Sequence, residues 1–192
     1  MLLKEIFKSI YKGLRVESES DTDGKNYYVV YTKNVGNCII NYSKENIKCI
    51  NTQVKDKYLL KEGDIIIASI PSNKTCHVGY CSSTEDNNVI INKNFIILRN
   101  PINNNYNLEF IAEYLENIGI NNFFKNNRTT KEALTVPEVE DIEIPNISIE
   151  KQNELMSLIN PINERIRLYN KLINNDTEIK EYLMNEVTHN EK

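Results

Sequence analysis

Ile144-Pro145-Asn146-Ile147-Ser148-Ile149-Glu150-Lys151-Gln152 begins the stretch that organises this chain, and the stretch continues to Val187. Ser148 is a good N-cap, and Glu150 lies where a helix dipole favours an anion, so a helix starts near Ile149. Beyond it Leu155, Ile159, Ile162, Ile166, Tyr169 and Ile173 recur at alternating steps of four and three. That is the seam of a coiled coil rather than the broad face of a globular helix. A seam this long needs a partner helix, and only one such helix is visible, which points to a second molecule of this chain or to another protein. A terminal helix lying on its own domain is the plainer alternative. Asn160-Pro161 and Asn174-Asn175-Asp176-Thr177 interrupt the pattern, predicting a helix that is kinked at Pro161 or in two pieces.

Upstream, 192 residues leave room for a body over 1–146 followed by a helical arm over 147–188. The apolar opening is mixed with Lys4, Glu5, Lys8 and Lys12, and no apolar run reaches membrane length. A cytoplasmic protein is expected, and Cys38, Cys49, Cys76 and Cys81 are expected as free thiols in that reducing compartment. A zinc site with His77 would need cysteines from separate strands, so no structural metal is predicted. The net charge is −4, but residues 1–131 carry 17 Lys or Arg against 14 Asp or Glu, and residues 132–192 carry 6 against 13. A mildly basic body is therefore masked by an acidic arm, an asymmetry that permits nucleic-acid binding by the body without demanding it.

Within the body, Leu2, Leu3, Ile6, Phe7 and Ile10 predict an opening helix over Met1–Tyr11. The stretch from Leu14 to Asp23 reads as a surface loop or hairpin. Tyr27–Thr32, Cys38–Ile40, Ile47–Ile50, Ile65–Ile70, His77–Cys81 and Phe95–Leu98 read as strands separated by turn signals, hence a curled mixed or antiparallel sheet. Leu108–Ile118 returns to helical spacing with Gly119 as its cap. The segment from Leu134 to Ile144 reads as a last edge strand. The fold class is α+β: a curled mixed/antiparallel β-sheet body with a few helices, then a long C-terminal coiled-coil helix.

Catalytic patterns are missing. There is no glycine-rich nucleotide loop. Asn100-Pro101-Ile102-Asn103 lacks the second proline and the aromatic platform with which adenine methyltransferases hold a flipped base. Glu178-Ile179-Lys180 is explained by an ion-paired helix face. A small hydrolase using Cys76 or Cys81 with His77 has no constellation to support it. The chain reads as a non-catalytic binder that needs no cofactor.

The order of parts supplies a family. Lys12-Gly13-Leu14-Arg15, then Tyr58-Leu59-Leu60-Lys61-Glu62-Gly63-Asp64-Ile65-Ile66-Ile67, then Asn94-Phe95-Ile96-Ile97-Leu98-Arg99, resembles the target-recognition domain of type I restriction-modification specificity (S) subunits. Asp141-Ile142-Glu143-Ile144-Pro145 running into Ile149-Glu150-Lys151-Gln152 is similar to that family's junction between recognition domain and conserved helix. The resemblance spans nearly the whole chain. It departs from the family in having one recognition domain and one helix where two of each are usual, in Ile147 standing for the junction's second proline, and in Pro161. It implies that residues 1–146 read one half of a split target in double-stranded DNA, and that residues 147–188 form a spacer which also holds a methyltransferase subunit. A homodimer through Leu155, Ile159, Ile162, Ile166, Tyr169 and Ile173 would restore the two-domain arrangement. Base and phosphate contacts would come from loop residues: Lys12 and Arg15; Lys33 and Asn34; Asn73, Lys74 and His77; and Lys125, Asn127, Arg128 and Lys131. The competing expectation is a decoy that uses its helix to occupy a methyltransferase or another specificity subunit without reading DNA.

Overall fold

In the computed structural model, which describes residues 1–16, 24–70, 76–84, 86–127 and 133–189 (side chains of 125–127 and 187–189 excepted), Ile65-Ile66-Ile67-Ala68 is a fully buried strand. Its unbroken apolar run follows from its position: both of its faces are covered, so neither needs polar residues. This strand, β6 (Ile65–Ala68), lies between β9 (Phe95–Pro101) and β7 (Val78–Tyr80), with β1 (Phe7–Lys12) beyond β9, in an antiparallel sheet of order β1-β9-β6-β7. A second sheet has the order β5 (Ile47–Ile50), β2 (Lys25–Val30), β8 (Val89–Ile91), antiparallel at β2/β5 and parallel at β2/β8. Two short strands, β3 (Val35–Gly36) and β4 (Ile39–Ile40), pair with each other.

The two larger sheets share a core because strand alternation sends side chains to both faces. Ile66, Ala68, Phe95 and Ile97 of the first sheet cluster with Val30, Val89 and Ile91 of the second. The intervening residues Tyr27, Val29 and Ile90 form a separate cluster with Leu14, Val54 and Leu59. Helix α2 (Leu108–Tyr114) lies on β7, and its N-cap Asn107 accepts a hydrogen bond from the Phe110 N–H at 3.1 Å. The chain forms two compact units, Met1–Gln152 and Asn153–Lys192. Among the described residues no helix is long and apolar enough to cross a membrane.

Several local features differ from expectation, each for an identifiable reason. The opening helix is one turn, α1 (Leu3–Ile6), after which the chain becomes β1. The apolar residues there fit both periods, and the ladder to β9, from Phe7↔Pro101 to Lys12↔Ile96, overrides local helix preference. β8 was hidden in the short run Val89-Ile90-Ile91, next to a turn-like stretch. Gly119 does not end its helix: the chain passes from α2 through a π-helical turn over Leu115–Gly119 into α3 (Ile120–Asn127). A Cβ at that point would stand 2.9 Å from the Tyr114 ring, so a larger residue there requires the ring to shift. The expected edge strand over 134–144 is instead α4 (Val136–Glu140), packed on β1, and only its end is extended, in an isolated antiparallel bridge Leu2↔Glu143. The Glu138 carboxylate accepts from the Thr135 N–H at 2.8 Å and the Thr135 hydroxyl at 2.6 Å, a capping arrangement present in the sequence as Thr-x-x-Glu. Finally, of the two expected forms of the arm, the two-piece one is excluded: α5 (Ile149–His189) is one helix of 41 residues with Pro161 inside it. The Asn174–Thr177 stretch stays helical, with the Thr177 hydroxyl donating to the Ile173 carbonyl at 2.8 Å.

Candidate nucleic-acid interface

Lys12 and Arg15 flank a crossing point. After β1, the Gly13 N–H donates to the Phe95 carbonyl at 3.0 Å and the Leu14 N–H to the Ile91 carbonyl at 2.8 Å, leaving both cations exposed. Any side chain at 13 would collide, since a Cβ there would stand 2.3 Å from the Asn92 carbonyl oxygen. Lys33 and Asn34 sit in a 3-10 turn, Thr32–Asn34. Lys33 is exposed, whereas the Asn34 side chain is engaged: its oxygen accepts from the Tyr31 N–H at 2.9 Å and from the buried Asn46 amide at 3.0 Å. Asn34 therefore holds a turn together.

His77 is half exposed, with Nδ1 3.2 Å from the Glu116 Oε1. Sequence reasoning missed Glu116, which is the hub of its neighbourhood. The same carboxylate accepts from the Val78 N–H and, at 3.4 Å, from the Asn37 N–H, so the π-helical turn is tied to β7 and to the turn before β4. The left-handed backbone at Asn37 and Cys38 (φ 51° and 58°) is the conformation this turn requires. The only signal in sequence was an acid on an otherwise ordinary helix face. Asn73, Lys74, Arg128 and Lys131 lie outside the described residues, as do positions 17–23 of the loop or hairpin expected from Leu14 to Asp23. Lys125 and Asn127 fall in the last turns of α3, with their side chains outside the description. The described candidates thus occupy three places: the Lys12–Arg15 crossing, the Thr32–Asn34 turn, and His77 beside Glu116.

Two of the sequence segments used for recognition meet in a buried ion pair. Ile65↔Leu98 is the last register pair of β6 and β9, and next to it stand Asp64, the residue before β6, and Arg99 of β9. Arg99 Nε donates to Asp64 Oδ1 at 2.6 Å and Nη2 to Oδ2 at 2.5 Å, with Nη1 and Nη2 also reaching the Lys57 and Leu59 carbonyls at 3.2 and 2.6 Å. Burial pushes the Asp64 carboxyl up, against the opposing pull of the Arg99 guanidinium. The Lys61 N–H completes its shell at 2.8 Å. The pair ties the loop over 57–61 to the end of the sheet.

The cysteines are not arranged for nucleophilic chemistry. Cys76 and Cys81 are buried, and burial, with nearby Asp64 and Glu62, pushes the Cys81 thiol up to about 11. Cys38 is also raised, by burial and then by Glu113 and Glu116. An activated thiol shows the opposite shift. Among the described residues, no group of three or more His, Cys, Asp and Glu could hold a metal ion.

On α5, Leu155 and Ile159 are half-buried, while Ile162, Ile166, Tyr169 and Ile173 are exposed by 51, 36, 58 and 61 %. Single exposed apolar residues are ordinary; a continuous stripe of them is not.

No family model and no curated protein sequence matches the chain. Solved structures do. The S subunit of a type I restriction-modification system from M. genitalium matches at TM-score 0.61 and 19 % identity, over 95 % of this chain and 43 % of that one. The HsdS subunit from Thermoanaerobacter tengcongensis matches at TM-score 0.52 and 16 % identity, over 88 % and 38 %. A chain from a structure describing complex assembly and conformational transition of the type I R-M system matches at TM-score 0.57 and 17 % identity, over 88 % and 38 %. This chain therefore spans less than half the length of the structures it matches, and its fold is that of the type I restriction-modification S subunits.

Proposed function

We propose that the chain is a non-catalytic, DNA-binding specificity subunit of a cytoplasmic type I restriction-modification complex. The carrying observation is the fold match to an S subunit over 95 % of the chain. Residues 1–146 read one half of a split duplex target. The exposed stripe of α5 pairs with the same stripe of a second copy, giving a homodimer whose half-sites are related by a two-fold axis. Burial of that stripe in a helix pair offsets its exposure in the single chain. The dimer directs a methyltransferase subunit, with or without a restriction subunit, to the target. The separation of the half-sites follows from the helix, as dimer geometry sets operator spacing elsewhere.

Light scattering of the purified chain, alone and with a candidate methyltransferase, followed by mapping of the methylated sites, tests this directly. The expected result is a dimer that recruits the enzyme and confines methylation to a two-part palindromic sequence. A stable monomer indifferent to the methyltransferase overturns it.

The acidic C-terminal third, −7 over residues 132–192, favours one alternative: a decoy whose helix occupies a basic surface of a methyltransferase. Capture of the methyltransferase with no change in its choice of sites would select the decoy.

A further inference from the structure

The Lys12–Arg15 crossing brings a third cation to the same place. The chain makes a tight turn at Asn92-Lys93-Asn94, where the Phe95 N–H donates to the Asn92 carbonyl at 3.0 Å and the Asn94 N–H to the Asn92 side chain at 3.1 Å. Leu14 pairs with Asn92 as a parallel bridge, and the Lys93 N–H donates to the Leu14 carbonyl at 2.7 Å. Lys93 thus sits beside the Leu14-Arg15 backbone although 78 positions separate Lys93 from Arg15 in the sequence. Gly13 makes this possible, because only a residue without a Cβ lets the first segment press against the Ile91 and Asn92 carbonyls.

Lys12, Arg15 and Lys93 are all exposed, and none has an ion-pair or hydrogen-bond partner for its side chain among the described residues. The contrast is with Lys4, Lys61 and Arg99, each held by a carboxylate. Asn92, the anchor of the turn, is buried. Three cations without a partner among the described residues stand on two hydrogen-bonded backbone segments, so the backbone of this rim is set by folding rather than by binding.

We propose that Lys12, Arg15 and Lys93 form a single phosphate-contacting rim on the DNA backbone, in which Lys93 sets the register of the recognition domain without reading bases. This rests on the DNA binding proposed above. Phosphate contacts position a protein on the duplex and carry the salt dependence of binding.

The test is a titration of the full chain with a fluorescent duplex of arbitrary sequence at several salt concentrations. Lys93→Ala should reduce the slope of log K against log salt by about 1, and Lys12→Ala/Arg15→Ala/Lys93→Ala by about 3. Each unit is roughly a fourfold smaller loss of affinity between about 50 and about 200 mM salt. Lys44→Ala, at a similarly exposed lysine in the 3-10 turn Lys44–Asn46, should leave the slope alone. Unchanged thermal melting of all variants keeps the comparison among folded proteins. Neutralisation of the rim by the acids that follow it in sequence, Glu17, Glu19, Asp21 and Asp23, would appear as an unchanged slope in the triple variant and overturns the rim. An equal loss from Lys44→Ala overturns it as well, since the three cations would then be no more than average surface charge. Absence of any duplex binding by the parent chain defeats the DNA-binding function itself and the rim with it.

Discussion

Asp64, the residue before β6, and Arg99 of β9 form a bidentate ion pair, with Asp64 fully buried and Arg99 8 % exposed. Removing either partner leaves the other charge in the core without compensation. Arg99→Ala and Asp64→Ala should each cost about 3–5 kcal/mol, a large part of a small domain's stability. Arg99→Lys should recover only part of it, since one ammonium cannot serve both carboxylate oxygens and the Lys57 and Leu59 carbonyls. Urea unfolding of the three variants measures this; a loss under about 1 kcal/mol for both alanine variants would place the pair with weak surface bridges.

Gly13→Ala should destabilise the body by about 1–3 kcal/mol or more, because the new methyl group meets backbone carbonyl oxygens that have no room to yield. Thermal melting checks it. A neutral outcome would show that the two segments separate easily, and the cationic rim would lose its rigid base.

Glu116→Ala strips the acceptor from the Val78 and Asn37 N–H groups and from His77. A loss of about 1–3 kcal/mol is expected, with faster hydrogen exchange at Val78 and Asn37. Glu116→Gln keeps one acceptor oxygen and should lose less. Equal losses for the two would mean that the charge, not hydrogen bonding, holds the turn.

Cys81 should be alkylated slowly in the native protein. With its thiol at about 11, the thiolate fraction at pH 8 is roughly one in a thousand, and the reactive form grows about tenfold for each pH unit up to that value. Iodoacetamide labelling read by mass spectrometry should be slow at pH 8, faster at pH 9, and fast at both after denaturation. Rapid native labelling at pH 8 would contradict the burial of this side chain.

Ile166→Glu with Tyr169→Lys places charges on the exposed stripe of α5. The proposed homodimer should then dissociate with the body still folded, and light scattering with circular dichroism reads both. A dimer that survives both substitutions uses another surface.

Much of this molecule was legible in one dimension. The apolar run from Ile65 declared a strand, the spacing from Leu108 declared the helix that begins as α2, and Ser148 with the seam from Leu155 to Ile173 declared α5. These signals are local: burial pattern and capping chemistry act within a few residues of their cause. What required tertiary structure was every choice settled by a distant partner. Phe7–Lys12 is a strand because β9 lies beside it, and Asp64 finds Arg99 because the β6/β9 register sets the residue before β6 opposite Arg99. Lys93 joins Lys12 and Arg15 because Gly13 lets two backbones touch. Periodicity cannot report such pairings, since contacts between residues far apart in sequence leave no pattern along the chain.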